Sequence, residues 1–113
     1  MNMKPTGIVA VAVALLCVLR AASADPGWTD EVVVSEINPT GLHYYLVRLP
    51  VTRNPSDCRD KEWFFQDYDV PGSKQMYATL VESLKSGLRV RLYVTGKCNL
   101  DGYSEISSVS LSR

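Results

Sequence analysis

The sequence predicts a small, mainly β domain with the element order β-β-β-α-β-β, in which one helix lies between the third and fourth of five strands. Three observations lead to this prediction. Several short runs are rich in β-branched and aromatic residues, one segment has helical periodicity, and residues 89–95 alternate strictly between apolar and polar. At 113 residues, the chain has room for one domain.

The first two predicted strands flank a turn. Residues 32–37 are mostly β-branched and form the first strand, which is entered from Trp28. Residues 38–41 (Asn-Pro-Thr-Gly) predict a turn, because proline fixes φ and glycine permits positive φ. Residues 42–49, rich in Tyr, Leu and Val, form the second strand, and residues 50–60 form a loop.

The third strand and the helix follow. Aromatic residues make 62–68 a strand, and Ser73 is placed to cap a helix over residues 74–86. Gly87 lies just past the helix end, where glycine is favoured. One apolar stripe at helical spacing is expected to pack on the core: Met76, Tyr77, Leu80, Val81 and Leu84.

The last two strands carry the clearest strand pattern. In the fourth strand, residues 89–95, the inward residues are Val90, Leu92 and Val94, and the outward ones are Arg89, Arg91, Tyr93 and Thr95. Residues 96–102 form a loop in which residues 99–102 (Asn-Leu-Asp-Gly) predict a tight turn, and residues 103–111 form the fifth strand. The inward phase of this strand slips near Ser107 and Ser108, which predicts a β-bulge.

Three strands, one helix and two strands is the order of the OB-fold, a small Greek-key barrel. The sequence therefore predicts an OB-fold-like five-stranded barrel over residues 25–113. The alternative is an α+β sandwich, in which the helix packs on an open antiparallel sheet.

Residues 1–24 have the pattern of a secretory signal peptide. Lys4 is followed by an uncharged apolar run at residues 7–19, and residues 22–24 (Ala-Ser-Ala) provide the cleavage site. The run is too short for a membrane anchor, which needs roughly 20 residues. Cys17 follows a leucine, which disfavours lipid attachment. We therefore expect cleavage after residue 24 and a periplasmic or secreted domain with no membrane segment.

Cleavage leaves two cysteines, Cys58 and Cys98. A lone pair of cysteines in an oxidising compartment usually forms a disulfide. A metal or redox pair is the alternative, but the chain has no Cys-x-x-Cys sequence and His43 is its only histidine. In an OB barrel the loops that carry the two cysteines lie at the same end, so the bridge fits the predicted topology.

Two resemblances support this interpretation. Residues 88–109, with Cys58 and residues 62–64 (Glu-Trp-Phe), resemble a family of short exported bacterial proteins, a likeness that implies no activity. The signal peptide, the element order and residues 86–94 (Ser-Gly-x-x-Val-Arg-x-Tyr-Val) resemble the B subunits of subtilase-type AB toxins. That resemblance implies an OB-fold, a homo-oligomer and a cell-surface glycan as ligand. No glycan-pocket motif carries over residue by residue.

The sequence offers little catalytic or metal-binding chemistry. A single histidine gives no evident nucleophile–base pair, and the ligands for a zinc site are too few. Carboxylates cluster at Asp57, Asp60, Glu62, Asp67 and Asp69, without EF-hand spacing. A carboxylate pair for glycoside hydrolysis stays open, but nothing singles one out. We expect no cofactor, no metal and no enzymatic activity. Without Lys4 and Arg20 the acidic residues are in slight excess, which disfavours a nucleic-acid partner.

One group of residues is a candidate binding surface: Trp63, Phe65, Arg89, Arg91 and Tyr93. Aromatic faces and arginine donors suit sugar stacking or a protein partner. In the alternative, Trp63 and Phe65 pack in the core, and the two arginines are solvated or paired with Glu36 and Glu105.

The leading hypothesis is an exported, non-enzymatic binding module that recognises a glycan or a protein, with a homo-oligomer left open. The alternative is a monomeric periplasmic protein-interaction or inhibitor protein.

Overall fold

The computed structural model describes residues 25–113, so the predicted signal peptide lies outside the described residues. The described part is mainly β, with one helix in the predicted position. Its elements are β1 (Gly27–Trp28), β2 (Glu36–Pro39), β3 (Tyr44–Arg48), β4 (Trp63–Asp67), α1 (Ser73–Ser86), β5 (Arg89–Cys98) and β6 (Ser104–Ser112). In residues 25–113 no helix has the length and apolar character needed to cross a membrane.

The strands form one mixed sheet in the order β1-β5-β6-β4-β3-β2. Neighbouring strands are antiparallel except β4 and β6, which run parallel. Within the described residues this is an open six-stranded sheet, and not the closed five-stranded barrel that the sequence predicts.

The additional strand arises because the first predicted strand divides between two partners. Gly27 and Trp28 pair with β5, and Val32 still forms an isolated bridge with Val90. Between them the Thr29 side chain enters the ladder, since its Oγ1 accepts the N–H of Leu92 at 3.0 Å. From residue 36 onward the chain pairs with β3. The predicted single strand at residues 32–37 was therefore wrong in its bounds, because a change of partner interrupts it.

The core lies between the inward face of the sheet and α1. The alternation predicted for β5 is confirmed, since Val90, Leu92 and Val94 have no exposed surface. Phe64 is the fully buried aromatic residue of β4, and the same core cluster includes Tyr45, Val47, Leu49, Leu80 and Ile106.

Helix α1 ends as predicted but begins differently. Gly87 has φ 76° and donates its N–H to the carbonyl of Ser83. At the other end Gly72, with φ 84°, occupies the cap position. The predicted cap, Ser73, is instead the first helical residue and donates its hydroxyl to the carbonyl of Asp67 at 2.5 Å. That bond fixes the helix start against the end of β4.

The buried face of α1 also departs from the predicted stripe. Leu84 is 44% exposed, whereas Ser83 is completely buried. The Ser83 hydroxyl accepts the N–H of Val34 at 3.1 Å and donates to the carbonyl of Leu88 at 2.6 Å. Because these two bonds satisfy the polar atoms of Ser83, this serine, and not the predicted Leu84, can lie buried where the helix contacts the sheet.

The bulge predicted in the last strand is confirmed. Tyr93 pairs with Ser108 and Val94 pairs with Ile106, so Ser107 is the additional residue on β6. This slip lets Ile106 be fully buried while Val109 still packs against the core.

The predicted disulfide is also confirmed. Cys58 and Cys98 are bonded, with their Cα atoms 5.6 Å apart. Cys58 lies in the loop between β3 and β4, and Cys98 is the last residue of β5. Next to the bridge, a hydrogen bond of 2.7 Å between the hydroxyls of Ser56 and Ser104 ties the same loop to β6.

Replacement of Ser83 by alanine is expected to destabilise the domain by about 1–3 kcal/mol, because two buried backbone groups lose their partner. Chemical denaturation measures the change. Ser86→Ala is the matched control, since that exposed hydroxyl bonds only to the carbonyl of Glu82, one turn back. Equal losses in the two variants would contradict the cross-linking role of Ser83.

Removal of the disulfide in the Cys58→Ala/Cys98→Ala variant should lower the free energy of unfolding by about 4 kcal/mol, as the chain-entropy model gives for a loop of this length. Denaturation of the oxidised parent and of the variant gives the difference. Thiol titration of the unreduced parent should find no free thiol. A difference below about 1 kcal/mol would contradict the expected cross-link.

Candidate functional site

A mainly apolar pocket of about 260 Å³, close to the lower end of the range for small-molecule sites, lies on the described surface. It lies over the outward face of β3 and β4, beside the loop that follows β5. The residues that line it are His43, Tyr44, Phe65, Asp67, Asn99, Leu100 and Asp101.

Two aromatic side chains form the apolar part of the pocket. Tyr44 pairs with Asp67, and Leu46 pairs with Phe65 in the antiparallel ladder of β3 and β4. Because Tyr45 and the other alternate residues face the core, Tyr44 and Phe65 face outward. Their rings are 6.5 Å apart and nearly perpendicular, which leaves both half-exposed. This is a rigid aromatic surface that a ligand can contact.

Polar groups border the aromatic rings. The Nε2 of His43 lies 3.8 Å from Oδ1 of Asp67, and their side chains are 73% and 43% exposed. The side-chain carbonyl of Asn99 accepts the N–H of Tyr103 at 2.9 Å, so its amide NH₂ is the group left to donate. With Asp101, the border provides hydrogen-bond donors and acceptors around an apolar centre.

The wall formed by residues 99–101 is a tight turn. The N–H of Gly102 donates to the carbonyl of Asn99, and the N–H of Asn99 donates to the carbonyl of Tyr103. Gly102 has φ 85°, and a Cβ there would lie 2.8 Å from Cβ of Arg59. The turn predicted from the sequence is present, and its close contact with the neighbouring loop requires glycine.

The disulfide and two hydrogen bonds hold this wall against the loop between β3 and β4. Cys98 directly precedes the turn and is bonded to Cys58. Arg59, the next residue after Cys58, donates from Nη2 to the carbonyl of Asp101 at 2.7 Å. The N–H of Asp60 donates to the carbonyl of Gly102 at 3.0 Å. The turn, and with it the pocket wall, is therefore fixed at three points.

Of the five residues predicted as a binding surface, Phe65 alone lines the pocket. Trp63 lies two residues earlier on the same outward face, with its ring 6.3 Å from that of Tyr103. Both Trp63 and Phe65 are half-buried, and the core aromatic of this strand is Phe64.

The other three predicted residues lie apart from the pocket, because β6 separates β5 from β4. The guanidinium carbon of Arg91 is 4.5 Å above the Trp28 ring, and that ring meets Tyr93 edge-on at 5.3 Å. Arg89 is exposed. The structure therefore divides the predicted surface into two clusters.

The alternative pairing of these arginines with acidic residues is not found. Oε1 of Glu105 accepts the hydroxyl of Thr95 at 2.7 Å. Within residues 25–113 the ion pairs are His43 with Asp67 and Arg48 with Glu62. Arg91 instead fastens the β1 segment to β5 through Trp28.

Sequence reasoning missed six of the seven pocket residues. The sequence pattern indicates no catalytic pair for His43 and a simple turn at residues 99–102. The signal that could have found them is the predicted strand order, because the second and third strands of an OB-fold, with the loops after strands one and four, form its ligand face, and that expectation was not applied to the site. Residues 25–113 contain no group of three His, Cys, Asp or Glu side chains placed to hold a metal ion.

Arg91→Ala should lower the free energy of unfolding by about 0.5–1 kcal/mol, the range for an exposed cation–π contact. Thermal denaturation measures the shift. Arg89→Ala is the matched control, because it removes the same charge from the same face of β5. Equal stability of the two variants would show that the contact between Arg91 and the Trp28 ring does not stabilise the domain.

Comparison of the chain with protein-family models, with curated proteins and with solved structures gives no match.

Proposed function

We propose that this protein is an exported, non-enzymatic binding module with an OB-like topology, and that its ligand is a glycan held in the pocket on β3 and β4. The observation that carries the proposal is the combination of an aromatic surface, formed by Tyr44 and Phe65, with a polar border and a pre-formed wall.

The pairing of the strands supports the OB-like topology. The two edges of the sheet, β1 and β2, belong to one continuous segment, residues 27–39. That segment pairs antiparallel with β5 at its start and with β3 at its end, as the bent first strand of a Greek-key barrel would. If β1 and β2 count as one strand, five strands remain and the helix lies between the third and the fourth.

The position and chemistry of the pocket support a sugar ligand. In OB-folds this face and these loops bind oligosaccharides and oligonucleotides. Aromatic faces bind the C–H surface of a ligand, while carboxylate, amide and imidazole groups bond its hydroxyls. An oligonucleotide is disfavoured because no lysine or arginine lines the pocket.

A second pair of aromatic rings extends the same face. Trp63 lies two residues before Phe65 on β4, a distance of about 7 Å along a strand, and its ring is 6.3 Å from that of Tyr103, the residue before β6. A ligand longer than the pocket can therefore continue over a second aromatic contact. This arrangement favours an oligosaccharide over a single sugar.

The lining residues also support a binding role over catalysis. They include no serine, threonine or cysteine, so the lining offers His43 and Asp67 no aliphatic hydroxyl or thiol nucleophile, and its one hydroxyl is the phenol of Tyr44. Export rests on the signal-peptide pattern of residues 1–24, and the disulfide is consistent with an oxidising compartment. A homo-oligomer, as in the toxin B subunits that the sequence resembles, belongs to the same proposal, and native mass spectrometry tests it.

A protein partner is the second candidate, and two exposed leucines favour it. Leu100 at the tip of the turn is fully exposed, and Leu42, next to His43, is 64% exposed. Apolar side chains that project beside a pocket suit a protein surface. Pull-down from envelope extract tests this function, and Leu42→Ala, which changes no residue of the pocket lining, should weaken capture of a stoichiometric partner while leaving glycan binding intact.

Glycan-array screening followed by calorimetric titration of the best oligosaccharide tests the proposed function. Phe65→Ala and His43→Ala should each weaken binding about 10-fold, equivalent to about 1.4 kcal/mol. His43 is mostly exposed, so its replacement tests the site even if Phe65→Ala reduces stability. Leu111→Ala, near the end of β6 and outside the pocket lining, is the control and should bind as the parent does.

Two outcomes would contradict the proposal. One is the absence of binding to any glycan on the array. The other is a loss of binding in Tyr93→Ala with no loss in Phe65→Ala or His43→Ala, since that result would place the site on β5.

A further inference from the structure

The charges of the pocket lining determine which classes of glycan the pocket can accept. Two carboxylates, those of Asp67 and Asp101, are among the lining groups, whereas no lysine or arginine is. The remaining ionisable side chains of the lining are His43 and the phenol of Tyr44. A lining with two carboxylates and at most one imidazolium is negative in either protonation state of His43.

Arg48 and Arg59, on the adjoining strand and loop, make their side-chain contacts outside the pocket lining. The guanidinium of Arg48 is 3.0 Å from the carboxylate of Glu62, which balances its charge. Arg59 donates to the backbone carbonyl of Asp101 and is not among the lining residues. Imidazole Nε2 of His43 lies 3.8 Å from Oδ1 of the Asp67 carboxylate. If His43 is protonated, Asp67 therefore balances it and Asp101 still contributes a negative charge.

These observations lead to the ligand class. We infer that the pocket selects an uncharged terminal sugar with adjacent free hydroxyls and rejects acidic sugars, a statement that rests on the glycan-binding function proposed above. Sugar hydroxyls donate to the carboxylates in charge-assisted hydrogen bonds, and the NH₂ of Asn99 donates to a sugar oxygen. An acidic sugar brings a third negative charge into a small, partly desolvated space that offers no guanidinium or ammonium partner.

The repulsion between the two carboxylates and an acidic sugar is as important for selectivity as the hydrogen bonds to an uncharged sugar. A like charge at about 4–7 Å weakens binding about 10-fold or more at the effective dielectric constants of protein surfaces. Salt screens such an interaction, so the discrimination should be largest at low ionic strength. Hydrogen bonds from uncharged hydroxyls depend much less on salt, and binding of the neutral glycan should change little.

A matched pair of glycans tests the inference: a galactose-terminated oligosaccharide, and the same oligosaccharide capped by sialic acid. Both are immobilised at equal density, and binding of the full oxidised domain is measured at pH 7.5 in low and high salt. The parent protein should bind the neutral glycan at least 10-fold more tightly at low salt. The ratio should shrink at high salt.

Two charge-neutralised variants complete the design. Asp67→Asn/Asp101→Asn removes both carboxylates while keeping similar side-chain shapes, and it should at least halve the neutral-to-acidic ratio at low salt. Asp57→Asn/Glu82→Gln removes the same total charge at two exposed positions outside the pocket and should leave the ratio unchanged.

Preference of the parent for the sialylated glycan would overturn the inference and leave glycan binding itself standing. A ratio that does not respond to Asp67→Asn/Asp101→Asn would also overturn it. If the parent bound neither glycan and no other glycan on the array, the proposed function and the inference would both fail.

Discussion

The bond between Cys58 and Cys98 is the constraint on which the candidate site depends. It joins the loop between β3 and β4 to the end of β5, two regions that are 40 residues apart in the sequence. Around it, Arg59 and Asp60 bond to the carbonyls of Asp101 and Gly102. A small domain has few other means of fixing an irregular loop, since its core is modest. Here one covalent bond and two hydrogen bonds, and not apolar packing, fix the turn after β5.

The position of the pocket follows from the order of the strands. The parallel pairing of β4 with β6 brings the turn after β5 beside the outward face of β3 and β4. Inward residues of the same strands, such as Tyr45 and Phe64, fill the core, so each strand serves packing on one face and the pocket on the other. The aromatic floor is rigid because it lies on paired strands, and the polar border is held by the cross-linked turn.

Local patterns in the sequence predicted much of the fold. Strict alternation in β5, the phase slip in β6 and Gly87 after the helix each depend on near neighbours, and each was confirmed. The failures share a different cause. The division of the first strand and the burial of Ser83 depend on distant partners, Leu92 and Val34, which a linear pattern does not identify.

The candidate site was harder to predict for the same reason. The outward orientation of Phe65 follows from alternation along β4, but its neighbours in the pocket come from β3 and from the turn after β5. Arg91 faces outward as predicted, yet the ring of Trp28 lies beneath it because β1 pairs with β5. Residue types predicted the chemistry of the surface, whereas the sheet order determined which residues meet.

Amide hydrogen exchange tests most directly whether the disulfide pre-forms the pocket wall. Three N–H groups report on the wall, those of Asp60, Asn99 and Gly102, while the N–H of Val90 reports on the core through its bond to Val32. Comparison of the oxidised parent with Cys58→Ala/Cys98→Ala should find that the three wall amides lose protection out of proportion to the core amide. Wall amides that lose no more protection than the core amide would contradict the account.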